Sequence, residues 1–412
     1  MHFVYYFKNI EKNTEKEYIK SILSNNILIN KYEELKEKAL EIINFSHDFI
    51  REYGDISSVS LREISRFSII IDFFKEYYDF KLIYLNNQNK DEIKEKDIIL
   101  NCIILGIYIC YYIRLFNPEL RNDFEINLNE KLNKKFLDIP NEEKEFIINE
   151  IELEPGIGKN NILKENIFLM FISIITRIPL IICGKPGCSK SLSFQLIFRS
   201  MKGKFSNSGF FRNYPSIIRC SFQGSISTSS RGVSSIFKIA EEKLKAYKEK
   251  KKDIKNNELP ISLVYFDELG LAERSKDNPL KVLHSKLEYD DSIPKSDKIG
   301  FIGISNWSLD AAKMNRAIYL YVPELDSSFD NINDIMTSIV KSINPFLLRK
   351  YENLFLNLSN SYFEFKKLLR EKKTKYFDSI SSRDFYHLIK NCAKKIDSII
   401  NSSKSKNRKK GY

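Results

Sequence analysis

The sequence predicts an α/β core, a parallel sheet covered by helices on both faces, placed between two helical regions. Three observations predict it. The stretch GKPGCSKS (184–191) lies between the apolar run IPLIIC and the helix-forming SLSFQLIFRSM. That strand–loop–helix setting is the one a phosphate-binding loop requires. Short β-branched runs alternate with helical segments beyond residue 178, as buried parallel strands do. One of those runs, ISLVYFDE (261–268), ends in two acids.

In chain order, residues 1–120 read as helices, because apolar positions recur there at three- and four-residue spacing. The apolar stretches 98–113 and 167–175 are shorter than the roughly 20 residues a membrane span needs, so both are expected as buried helices. Residues 117–146 read as polar helix and linker. ELEPGIGKNN (152–161), with Pro155, Gly156 and Gly158, marks a boundary. Strands are then expected at 178–183, 215–222, 261–266, 299–305 and 317–322, and helix again from about 330.

In the loop, backbone N–H groups at a helix N-terminus bind phosphate oxygens. Gly184 and Gly187 give the backbone freedom and Pro186 stiffens the turn. Lys190 is expected to reach the phosphates and Ser191 to place its hydroxyl on Mg²⁺. The usual motif has glycine where this chain has Ser189, a strain only if that residue must adopt positive φ. Asp267, at the strand's C-terminal edge, is expected to hold the Mg²⁺ water shell, and Glu268 to polarise an attacking water. Asn306, ending the next strand, is expected between loop and acids, bonding the γ-phosphate or orienting that water. Arg316 precedes the last strand. Arg383 begins a helix that Ser381 or Ser382 could cap. Either arginine suits phosphate charge.

Composition narrows the classes. With 43% hydrophobic and 29% charged residues over 412 positions, two or three globular domains are expected. The net charge of +12 invites a nucleic-acid reading, but the lysines are spread out and no nucleic-acid-binding motif is present, so no nucleic-acid partner is expected. Six cysteines without a C-x-x-C pair, and only four histidines, argue against zinc and for a reducing, cytoplasmic setting. The N-terminus lacks the layout of a signal peptide.

The order of these pieces resembles that of AAA+ ATPases: phosphate loop, acidic strand, polar strand end, arginine before the fifth strand, arginine in a helical lid. The strings GKPGCSKSLS, SFQGSISTSSRGV, VYFDELGLAERSKDNPLKVLHSKLE and GFIGISNWSLDAAKMNRAIYL look like the dynein-like AAA+ core of the mysterin family of giant ubiquitin ligases. The likeness is close over residues 150–323 and weaker to 395. It implies a P-loop NTPase module with a helical lid, and a family in which the loop runs G-x-P-G-x-S-K-S, so that Ser189 is a family variant.

The resemblance further implies a division of the chain. Residues 1–120 would be the lid of a preceding module, because VSLREISRF and ISSRDFYHL share a form and make Arg62 that module's lid arginine. Linker at 121–160, the large α/β subdomain at 161–325, the lid at 326–400 and a basic disordered tail at 401–412 would follow. ATP would be held by Gly184, Pro186, Gly187, Cys188, Ser189, Lys190, Ser191, Leu192 and Arg383, and Mg²⁺ by Ser191 and Asp267. Glu268 and Asn306 would serve hydrolysis, and Arg316 a neighbouring module's nucleotide. The implied partners are neighbouring AAA+ modules and a possible protein substrate. Because the module would be entered partway, a fragment or a short paralogue is expected. No RING zinc pattern is present, so ligase activity is not expected of this chain alone. The alternative is a structural module that holds a nucleotide with negligible turnover. A nucleic-acid motor ranks lower, and a P-loop kinase lacks an identifiable acceptor site.

Overall fold

The structure, a computed structural model, describes residues 12–53, 59–85, 95–250, 259–288, 292–310, 315–323, 329–372 and 380–408, with side chains of the last helix to residue 402. It divides into two units: residues 1–142 with 310–319, and residues 143–309 with 320–412.

The first unit is helical: α1 (Lys12–Asn25), α2 (Ile27–Asn30), α3 (Glu33–Tyr53), α4 (Arg62–Tyr84), α5 (Glu95–Cys110) and α6 (Pro118–Leu132). Residues of α7 (Asp138–Asn149) fall in both units. Glu63 opens α4 by accepting from the backbone N–H and hydroxyl of Ser60, at 2.9 and 2.8 Å. Helix α5 is apolar all round and packs on α3 and α4. The span Glu95–Arg114 is long and apolar enough to cross a bilayer by composition, yet 78% of its window is buried inside the protein. A helix that is hydrophobic on every face must be enclosed, and here protein encloses it.

Residues expected as linker are mostly helix. Asn117 caps α6, Pro118 fits its first turn, and Phe124, Leu128 and Leu132 give it a buried face. The polar composition hid that stripe. Non-helical chain remains at 150–160, and it is pinned. Gly156 N–H donates to Ser342 Oγ at 3.1 Å, and Gly158 N–H to the Tyr386 hydroxyl at 3.0 Å.

In the second unit follow α8 (Asn161–Thr176), β1 (Leu180–Cys183), α9 (Lys190–Ser200), β2 (Ile217–Gln223), α10 (Ser230–Lys250), β3 (Ile261–Asp267), α11 (Leu269–Glu273), α12 (Val282–Lys286) and β4 (Gly300–Ser305), and residues of β5 (Ile318–Tyr321) fall in both units. The five-stranded sheet has the order β2-β3-β4-β1-β5. The β1–β4, β3–β4 and β2–β3 pairs are parallel. Side chains alternate across a strand. Tyr265 of β3 stacks on Phe194 of α9, while Ser262 donates to the Ala240 carbonyl of α10. One odd and one even position thus place α9 and α10 on opposite faces, the covered parallel sheet expected from the sequence.

The lid comprises α13 (Phe329–Ile343), α14 (Pro345–Glu371) and α15 (Ser382–Arg408). Helix α15 continues through residues expected as a disordered tail. No proline or glycine interrupts it before Gly411, and lysine and arginine are good helix formers.

Candidate functional site

Strand order decides where chemistry can occur. After β1 the chain skips two positions to form β2, so the C-terminal ends of β1, β4 and β3 are neighbours at a crossover point, where open α/β sheets bind ligands. Cys183 pairs with Ser305, and Phe266 with Gly303. Loop 184–191, the acids 267–268 and Asn306 therefore leave the sheet side by side.

The loop is wound tightly. Ser189 is left-handed, at φ 54° and ψ 15°, so this serine takes the conformation that glycine usually supplies. Asn166, fully buried on α8, donates its amide to the Cys188 carbonyl at 3.0 Å. Ser193 donates its hydroxyl to the Ser189 carbonyl at 2.8 Å. These bonds fix the carbonyls of Cys188 and Ser189. Lys190 is buried and donates to the carbonyls of Gly184 and Lys185. Burial pulls its ammonium below the ordinary lysine range, against the charges of Cys188, Cys183, Glu268 and Asp267. Ser191 and Pro186 are exposed, and Leu192 lies on the first turn of α9.

The acids stand opposite. Asp267 accepts the Glu268 N–H on Oδ1 at 2.9 Å and the Tyr265 hydroxyl on Oδ2 at 3.3 Å. Glu268 is left-handed, at φ 53°. The Asn306 amide donates to its Oε1 and Oε2 at 3.2 and 3.0 Å. Asn306 therefore sits with the acids, and its bond is to Glu268. Gly224, beyond β2, donates its N–H to the Asp267 carbonyl at 2.8 Å. A Cβ there would lie 2.3 Å from the Glu268 carbonyl oxygen, so only glycine fits.

The lid closes the third side. Gly187, at φ 96°, lies so near the start of α15 that a Cβ would stand 2.7 Å from Ser382 Oγ and 3.3 Å from the Arg383 nitrogen. Arg383 is thus carried to the phosphate loop. Its helix is opened by Asp384, which accepts from the Ser381 N–H at 2.7 Å and from the Ser381 hydroxyl at 3.0 Å. In place of the expected serine cap, Ser381 donates both its N–H and its hydroxyl to Asp384, and that N–H holds the Asp384 carboxyl below its usual range.

Arg316 belongs to the first unit. The carbonyls on either side of it, of Asn315 and Ala317, accept from Arg66 at 2.8 and 3.2 Å. Arg114 donates to Asn315 Oδ1 at 3.0 Å. Buried Glu63 pairs with both arginines. Arg62 precedes Glu63 on the same helix.

Sequence reading missed Asn166, Gly224 and Tyr265. Only Tyr265 carried a signal, two residues before Asp267 and so on the same strand face.

Sheet, phosphate loop, polar strand ends and helical lid together define an AAA+ module, a nucleotide-binding class. Residues 156–328 match the family model described as the RNF213 AAA domain. E3 ubiquitin-protein ligase rnf213-beta of Danio rerio is 32% identical over 400 residues, covering 94% of this chain. E3 ubiquitin-protein ligase RNF213 of Homo sapiens is 30% identical over 406 residues, again 94% of the chain. The RNF213 of Mus musculus is 30% identical over 407 residues. The chain belongs to the RNF213, or mysterin, family and corresponds to a segment of its AAA core. It spans 7% of the length of each of these relatives.

Proposed function

We propose that the second unit binds Mg²⁺-ATP at loop 184–191 and hydrolyses it, and that turnover shifts the lid 329–402 against the sheet. The observation that carries this reading is the convergence of Lys190, Ser191, Asp267, Glu268, Asn306 and Arg383 from four separate segments. On binding, Lys190 would exchange its bonds to the Gly184 and Lys185 carbonyls for phosphate oxygens. The loop N–H groups and the N-terminus of α9 would take the remaining phosphate charge. Arg383 would approach from the lid and link ligand to α15.

The Ser191 hydroxyl and the Asp267 carboxylate are hard oxygen donors of the kind Mg²⁺ takes, usually one or two from the protein and the rest from phosphate and water. They would hold it. Bound there, the ion would supply charge neutralisation on the phosphates. Glu268 would accept the proton of the attacking water, with Asn306 fixing the angle of its carboxylate.

Arg316 would serve the nucleotide of a neighbouring module, and Arg62 would be the lid arginine of the preceding module. Both lie in the first unit, and Arg66 fixes the backbone around Arg316. A finger arginine is worth roughly 10³–10⁵ in rate in well-studied systems, so this chain alone would turn over slowly. The relatives are named as ubiquitin ligases. That activity is not assigned to this segment. With six cysteines and no C-x-x-C pair, a reducing, cytoplasmic setting is proposed.

One observation favours the second reading, a nucleotide-holding structural module. The Asn306 amide occupies both oxygens of Glu268, the base that hydrolysis needs. The test is Mg²⁺-ATP binding and hydrolysis by the parent chain, Lys190→Ala and Glu268→Gln. Binding lost in Lys190→Ala, with ATP bound but uncleaved in Glu268→Gln, supports the ATPase. Tight binding with no turnover in parent or Glu268→Gln supports the structural module, or a module that lacks its neighbour's arginine. No binding by the parent removes both.

A further inference from the structure

Tyr265 stands outside every role described so far. It is 5% exposed, and its ring lies face to face on Phe194, with centroids 3.8 Å apart and planes 10° apart. The Arg219 guanidinium covers the same shelf, 5.4, 5.7 and 5.6 Å from the Phe194, Phe198 and Tyr265 rings. Stacking and cation–π contacts of this kind fix a ring in place. Strands β2 and β3 and helix α9 thus hold one phenol rigid.

Its hydroxyl is the informative part. A phenylalanine would fill the same space and make the same stack. The hydroxyl donates to Asp267 Oδ2 at 3.3 Å. Asp267 is one of the two residues assigned above to Mg²⁺. With Glu268 N–H on Oδ1, Asp267 has one donor on each oxygen, and its remaining lone pairs stay available.

We infer that Tyr265 is a positioning residue for the divalent cation, holding the Asp267 carboxylate in place before the metal–nucleotide complex arrives. The inference rests on the nucleotide reading above. Tyr265 would act through Asp267. Removing such a supporting hydrogen bond typically weakens metal affinity about 10- to 100-fold.

The experiment titrates Mg²⁺ into the chain with a fluorescent ATP analogue and repeats the nucleotide titration in EDTA, for the parent and Tyr265→Phe. The expected result is a Mg²⁺ midpoint raised about tenfold in Tyr265→Phe. Nucleotide affinity in EDTA should match that of the parent. An unchanged midpoint overturns the inference, as does an equal loss with and without metal. Phe194→Leu keeps the hydroxyl but removes the ring beneath it, and should shift the midpoint less. A larger shift there would assign the effect to packing and overturn the inference. A parent that binds no nucleotide under either condition would instead remove the underlying reading, and the inference with it.

Discussion

The side-chain amide of Asn306 reaches both carboxylate oxygens of Glu268, at 3.2 and 3.0 Å. The two residues end adjacent strands, and the Phe266–Gly303 register brings them level. An amide NH₂ held this way fixes the plane of the carboxylate and therefore the direction of its lone pairs.

Asn306→Ala should consequently damage turnover rather than binding. ATP hydrolysis is expected to fall about 10²-fold, the usual effect of losing one preorganised donor, with nucleotide affinity kept. Steady-state hydrolysis beside an equilibrium binding curve separates the two. A rise in turnover would mean that the amide restrains Glu268.

Ser189 holds a left-handed backbone at φ 54°. For an L-residue that conformation costs roughly 1–2 kcal/mol, while glycine gives back part of the gain through a freer unfolded chain. Ser189→Gly is therefore expected to leave stability within about 1 kcal/mol of the parent and to keep nucleotide binding. Ser189→Val, β-branched at the same φ, should lose binding. Thermal melts and nucleotide titrations of both variants check this.

Gly187 separates the phosphate loop from the lid by less than a side chain. Gly187→Ala adds an atom 2.7 Å from Ser382 Oγ at a residue with φ 96°. Strain of roughly 1–3 kcal/mol should lower nucleotide affinity about tenfold or more. Because the added atom displaces the helix carrying Arg383, the penalty should shrink in an Arg383→Ala background. Four binding constants complete that cycle.

Acid should weaken the first unit in two stages. Buried His47 bonds Glu15 at 2.9 Å and the Tyr111 hydroxyl at 3.1 Å, and Arg51 pairs with Glu15. Burial pulls the His47 pKa below its ordinary 6.5 despite Glu15. The Arg51 hydrogen bond holds Glu15 below its ordinary 4.5. For both groups the folded value is depressed, so the unfolded chain binds the proton first. The stability is full above the ordinary value and is lost as pH falls through the folded one. The melting temperature should begin to fall below about pH 6.5 and again below about pH 4.5. His47→Gln should remove the upper stage, which melting curves at a series of pH values would show.

Much of the site was legible because its residues sit where strands end. An apolar run followed by Asp267-Glu268, or by Ser305-Asn306, announces its own C-terminal edge, and parallel strands put such edges together. The pairing of Asn306 with Glu268 was not legible, because it depends on register. Nor was the role of Tyr265, whose residue type reads as core until its hydroxyl is placed. The positive φ of Ser189 was posed by the motif but could be answered only by the backbone. Arg66 could not have been matched to its acceptor, 249 residues further along the chain.

That last distance bears on how the chain can be divided. The first unit is not a continuous stretch of sequence, because residues 310–319 complete it. Scissors at residue 142 would leave an N-terminal piece that keeps Arg66 and Arg114 but loses the Asn315 and Ala317 acceptors. Arg66, 8% exposed, would be left with its charge facing Glu63 alone. Residue 142 is therefore the wrong place to separate the halves, and they should be expressed, purified and melted as one piece.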